Sequence, residues 1–144
     1  MNEPTAPRFS EDAFPLQAVT GTVIAASFTV FKTFGCGFVE PVYRRAMVVE
    51  LRHRGVCVEQ EVKYELFHRG ESVGYYKADM VVDSRVIVEI KTGPLPDPLA
   101  PAQVLNYLCA AGLTLGLLIH FGPKGAKAKR VVSTNTVRSV ARDS

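Results

Sequence analysis

Residues 75–91, YYKADMVVDSRVIVEIK, constrain this chain more than any other stretch. Met80, Val81 and Val82 precede Asp83-Ser84-Arg85, and Val86, Ile87, Val88 and Ile90 follow it. Short apolar, mostly β-branched runs around a polar turn predict a β-hairpin. With those three residues as the loop, antiparallel pairing sets Asp79 opposite Glu89, with Cβ atoms roughly 5 Å apart. Side chains alternate along a strand, so Glu89 and Lys91 share one face while Val88 and Ile90 take the other. A slip of one residue would undo the arrangement.

A strand apolar on both faces is a buried one, and buried charges are costly unless they are paired or bound to a metal. Two carboxylates that close repel unless a proton or a cation sits between them. A hard divalent cation such as Mg²⁺ suits them. It takes oxygen ligands, often one or two carboxylates, and leaves its other positions to water and phosphate. Lys91 beside it would stabilise charge on a phosphate or help to deprotonate a water. The plainer alternative makes Glu89 and Lys91 an ordinary exposed strand end and Asp79 a turn residue.

Length and composition frame this hairpin. A chain of 144 residues suits one domain, and a hydrophobic fraction of 47% with mixed charges indicates a globular chain rather than a disordered one. The richest apolar run, Leu113 to Phe121, is far short of the roughly 20 residues of a membrane span. No basic start followed by an apolar stretch marks a secretory signal. Cys36, Cys57 and Cys109 are scattered without a CxxC pair, which argues for a reducing cytoplasm and against a zinc site. A net charge of +3 permits nucleic-acid binding without demanding it.

Residues 1–15, with Pro4, Pro7 and Pro15, read as a loosely held arm, residues 16–132 as the domain, and 133–144 as a polar tail. Leu16 to Phe34 keeps helical spacing through Val19, Val23, Ser27, Val30 and Phe34. Gly35-Cys36-Gly37 interrupts it, and a second helix follows from about Phe38 to Arg54, closed by Gly55. Glu40, Tyr43, Met47 and Leu51 form one stripe of that helix, so an acidic residue lines up with core positions. An acidic residue favouring a helix N-terminus explains Glu40 equally simply. Arg44, Arg45, Arg52, His53 and Arg54 read most simply as a solvated face, with phosphate contact as the alternative.

Val56 to Phe67 alternates as a half-exposed strand, and His68 to Glu71 turns into the strand that leads to Asp79, giving a three-stranded meander. The proline-rich Thr92 to Pro98 is a rigid loop before a third helix, with Pro101 in its first turn and Gly112 at its stop. That helix sets Gln103 and Tyr107 at i and i+4, either as a surface amide stacked on a tyrosine or as a pair that reaches a phosphate or a metal-bound water near the hairpin's open end, with Val104, Leu105 and Leu108 on the packing side. Leu113 to Phe121 then returns as a buried strand beside the hairpin after a helical crossover, which makes the sheet mixed. His120 at its end reads as structural. Lys124, Lys127, Lys129 and Arg130 follow, as a solvated loop or as a phosphate-binding rim.

The ordered set resembles a known family. Gly37-Phe38-Val39-Glu40-Pro41-Val42-Tyr43 is similar to the motif that names the GxxExxY proteins. The likeness continues through Ala78-Asp79, Glu89-Ile90-Lys91, Gln103 to Tyr107, and Gly116-Leu117-Leu118 to Phe121. It spans about residues 20–132. The family looks like a compact branch of the PD-(D/E)xK nuclease superfamily. That implies an α/β, restriction-endonuclease-like core: a mixed central sheet, an antiparallel meander plus a crossover strand, flanked by helices.

The resemblance further implies Asp79 and Glu89 as ligands of Mg²⁺ or Mn²⁺, with the backbone carbonyl of Ile90 as a further ligand. Glu40 becomes an additional ligand or a water-orienting base, Lys91 the catalytic lysine, and Gln103 with Tyr107 the later helix motif. The implied partner is nucleic acid, with DNA first, and a homodimer or a partner protein would supply recognition that a single domain lacks. Ala78 stands where the signature has proline. Phe31 and His120 stand where many relatives have a histidine and an asparagine, which touches substrate contacts rather than the metal centre. Two other readings are a non-catalytic nucleic-acid-binding module on the nuclease fold and a structural or regulatory protein that pairs through its apolar first helix.

Overall fold

The computed structural model describes residues 16–134. The arm expected over 1–15 and nearly all of the tail expected over 133–144 lie outside them. In chain order the elements are α1 (Leu16–Phe34), α2 (Glu40–His53), β1 (Val58–His68), β2 (Glu71–Val82), β3 (Val86–Thr92), α3 (Ala100–Ala111), β4 (Leu115–Gly122) and β5 (Gly125–Val132). The strands form one sheet in the order β1-β2-β3-β4-β5. The β3–β4 pair is parallel and the other pairs are antiparallel. This is the mixed α/β sheet flanked by helices that the sequence predicts.

The hairpin forms where its turn chemistry dictates. Met80 pairs with Val88 and Val82 with Val86 around the loop Asp83-Ser84-Arg85. Asp83 and Ser84 both take left-handed φ, 54° and 58°, a turn whose twist suits the flanking strands. The Arg85 guanidinium donates to the Asp83 carboxylate.

Each face of the sheet carries its own core. Val88, Ile90, Leu117, Ile119 and Phe121 face α1 and α2, where they pack against Val19, Val23, Tyr43, Met47 and Leu51. Val81, Ile87, Leu118 and Val131 face α3, through Ala100, Val104 and Leu108. The α3 side packs closely because β4 carries Gly116: a Cβ there would lie 2.8 Å from Val104 Cγ1.

Several details depart from the sequence reading. The segment after Gly122 is not a loop but the edge strand β5, paired with β4 along its whole length. Leu105 is 39% exposed, because the stripe Ala100, Val104 and Leu108, four residues apart, takes the contact with the sheet. Helix α2 starts at Glu40 rather than near Phe38, since Val39 is extended and Pro41 suits a first helical turn. Strand β4 starts at Leu115 rather than Leu113, because the Leu113 amide donates to the Leu108 carbonyl and closes α3. No helix among the described residues is long and apolar enough to cross a membrane.

Candidate active site

Strands β2 and β3 part just beyond the Met80–Val88 pair, where carboxylates replace the backbone ladder. Continuing the register by one residue sets Asp79 opposite Glu89. The Asp79 amide donates to Glu89 Oε2 at 3.0 Å, and the Ile90 amide donates to Asp79 Oδ2 at 2.8 Å. Each carboxylate is thus fixed by the other strand's backbone through one oxygen, and the second oxygen of each makes no hydrogen bond among the described residues. Glu89 is only 8% exposed. Lys91 lies two residues further along β3 and so shares the Glu89 face. Ile90 sends its side chain into the opposite core, fully buried.

Helix α2 brings Glu40 to the same end of the sheet. The Tyr43 hydroxyl donates to the Gly35 carbonyl at 2.5 Å and accepts from the Phe38 amide at 3.3 Å, which ties down the loop that launches the helix. The Tyr43 ring stacks on Phe121 of β4, centroids 4.4 Å apart. Tyr43 is therefore a strut that positions Glu40.

Electrostatics mark the carboxylates as a cluster. Burial first, and the neighbouring Asp79 second, push Glu89 up to about 8. Burial also raises Asp79, against the opposing pull of the Ile90 amide, Arg44 and Lys91. Glu40 is raised by burial first and by Asp79 second. Arg44, one turn after Glu40, acts on both Glu40 and Asp79.

Across the site, α3 contributes Tyr107. Its ring stacks on Tyr76 with centroids 4.0 Å apart, Tyr76 stacks on Tyr64, and the Tyr76 hydroxyl donates to the Tyr107 carbonyl at 2.7 Å. Burial raises the Tyr107 hydroxyl, and Glu89 and Asp79 raise it further. Gln103, its partner at i and i+4, is exposed on α3.

The basic residues divide. Lys127 and Lys129 are exposed on the sheet face that carries Lys91, and Lys124 is exposed in the β4–β5 turn. Arg130 instead points to the other face and donates to Thr20 Oγ1 of α1 at 3.2 Å. Strand alternation splits the expected rim of four residues. Arg44, Tyr64 and Tyr76 are site neighbours that the sequence reading missed. Arg44 had a signal in its helical spacing from Glu40, whereas Tyr76 is far in sequence from Tyr107 and had none.

Among the described residues no group of three or more His, Cys, Asp or Glu has metal-ligating geometry. What is present is two adjacent, backbone-anchored carboxylates, each with an oxygen to spare, the donor type that a hard divalent cation takes alongside water and phosphate.

Residues 17–131 match the PD-(D/E)XK nuclease superfamily. The chain belongs to that superfamily. No curated protein matches it. Among solved structures, the crystal structure of SSO0001 is similar with a TM-score of 0.54 and 19% identity, over 65% of this chain and 50% of that one. At that identity the likeness shows a shared fold, and the chain spans only about half the length of that protein.

Proposed function

We propose that this protein is a divalent-metal-dependent nuclease of the GxxExxY branch, acting on DNA. The observation that carries the reading is the reciprocal anchoring of Asp79 and Glu89 by each other's strand, with Lys91 next on the same face.

In this reading Asp79 and Glu89 would hold Mg²⁺ or Mn²⁺, with the Ile90 carbonyl as a further ligand, and the ion would lower the pKa of a water and offset charge on the phosphate. Glu40, a stronger base than an ordinary carboxylate because its pKa is raised, accepts the proton of the attacking water. The Lys91 ammonium stabilises negative charge that grows on the phosphate oxygens. Gln103 and the Tyr107 hydroxyl orient the scissile phosphate, and the Tyr64–Tyr76–Tyr107 stack holds Tyr107 still. Lys124, Lys127 and Lys129 draw the backbone of the substrate toward the site. A homodimer or a partner protein supplies further recognition. A cytoplasmic location agrees with the free, exposed Cys36 and Cys57.

The test is a panel of labelled DNA and RNA, single- and double-stranded, incubated with Mg²⁺ or Mn²⁺. Wild type is expected to cut at least one DNA substrate, and Glu89→Gln to cut it at least about 10²-fold more slowly. Binding without cleavage by wild type would leave a nucleic-acid-binding module in place of a nuclease.

A further inference from the structure

Beside the carboxylates, under the proline-rich loop that leaves β3, lies a cavity of about 270 Å³ whose walls include Lys91, Pro98, His120, Lys127 and Lys129. Its floor follows from register. Lys91 of β3 pairs with His120 of β4, and His120 pairs with Lys127 of β5, so three side chains stand in one row across three strands on one face. Lys129, paired with Leu118, stands in the adjacent row. Two strand spacings separate Lys91 from Lys127, about 10 Å.

Two further observations give this cavity its chemistry. His120 Nε2 is buried with no hydrogen-bond partner, an expensive state for a polar atom unless something else satisfies it. Neither Lys127 nor Lys129 has an ion-pair partner among the described residues. The first turn of α3 lines the same space through Ala100 and Pro101, where the Ala100 amide donates to the Asp97 carbonyl at 3.2 Å and Pro101 has no amide to offer. The one acidic wall residue, Asp97, is engaged in the loop, where its Oδ1 accepts the Leu99 amide at 2.9 Å. A second cavity of about 170 Å³ shares Pro96, His120 and Lys127 and adds Lys124. Lysines on an edge strand also deter pairing between sheets. That role requires neither a cavity nor a buried ring nitrogen.

We propose that this cavity is a second phosphate pocket, in which His120, Lys127 and Lys129 grip a phosphate of the substrate strand away from the one being cut. The assignment of that phosphate to a nucleic-acid strand rests on the nuclease reading above. The volume far exceeds the roughly 30 Å³ that a water takes in the liquid, leaving room for a phosphate with its sugar. A strand held at both places crosses β3, β4 and β5 instead of running along them. The pocket then fixes which side of the scissile bond is gripped, and with it the polarity of cutting or the demand for a terminal phosphate.

The test uses the full chain without divalent metal, at constant pH. Imidazole ¹⁵N signals are followed as inorganic phosphate is added, with His53 and His68, both exposed, as internal controls. His120 is expected to shift saturably in wild type while the controls do not, and the shift is expected to vanish in Lys127→Ala/Lys129→Ala. Both lysines are exposed, so this variant keeps the core intact.

Affinity for a labelled single strand bearing a 5′-phosphate, a 3′-phosphate or neither then identifies the source. A preference of about tenfold or more for one phosphorylated end marks a terminal phosphate. Equal affinity for all three, with a salt dependence that falls by about 1.4 in the double variant, marks an internal one, since each single-strand contact contributes roughly 0.7. A His120 signal that stays still at high phosphate, or a double variant with unchanged phosphate binding, overturns the pocket. Cleavage by wild type with a silent His120 removes the pocket and leaves the nuclease. Phosphate at His120 in a protein that cuts nothing removes the nuclease and leaves an anion site.

Discussion

Glu89 concentrates the conflict between burial and charge on which the site depends. Folding raises its pKa from 4.5 to about 8, so the folded protein retains a proton that the unfolded chain has already released over that interval. The sign follows directly. In metal-free protein the stability tied to this carboxyl is fully present below about 4.5 and is lost as pH rises through about 8. Asp79 and Glu40 are raised in the same direction and steepen the fall. Thermal unfolding in chelator is therefore expected to show Tm decreasing from pH 5.5 to pH 8, and Glu89→Gln is expected to flatten that slope. Because a cation competes with the proton, Mg²⁺ should raise Tm more at pH 8 than at pH 5.5. Equal gains at both values would count against a cation on these carboxylates. The residues themselves were readable in the sequence, since Asp79, Glu89 and Lys91 sit in an apolar hairpin where ordinary solvated charges do not belong. Arg44 and the Tyr64–Tyr76 pair were not, because their roles arise only when α2 and the β1–β2 hairpin pack around the site.

At the scale of elements, legibility followed pattern strength. Helix α1 runs over Leu16–Phe34 as its 3.6-residue spacing predicts, and the β2–β3 turn falls on Asp83-Ser84-Arg85 as the polar break predicts. Strand β5 was invisible for a physical reason. Its Gly125-Ala126-Lys127-Ala128-Lys129-Arg130 start has small and basic residues with little β propensity, and it is a strand because β4 offers an unpaired edge. The close approach of α3 to β4 gives a prediction at this scale. Gly116→Ala puts a methyl within 2.8 Å of Val104 Cγ1 and is expected to cost about 1–3 kcal/mol by denaturant unfolding. Adding Val104→Ala should return part of that loss. A Gly116→Ala protein as stable as wild type would show that the helix stands off further than described. Tyr43→Phe is expected to leave the stacked ring in place but free the Gly35 and Phe38 backbone groups. A loss of about 1 kcal/mol is predicted, with reduced activity through Glu40.

Over the whole molecule, two cores back to back hold one sheet rigid, and its polar chemistry is gathered where β2 leaves β3. One helix layer delivers Glu40 to that end, and the other delivers Tyr107. The row of Lys91, His120 and Lys127 extends it across the remaining strands toward the free edge. Nuclease function requires that this gathering of acidic groups and one ammonium break a phosphodiester. The most direct measurement is single-turnover cleavage of a labelled DNA strand with Mg²⁺ by wild type, Asp79→Ala and Lys91→Ala, each confirmed folded. Cleavage by wild type, with each substitution slowing it by about 10²-fold or more, is the predicted result. Cleavage that persists undiminished in either variant would contradict it.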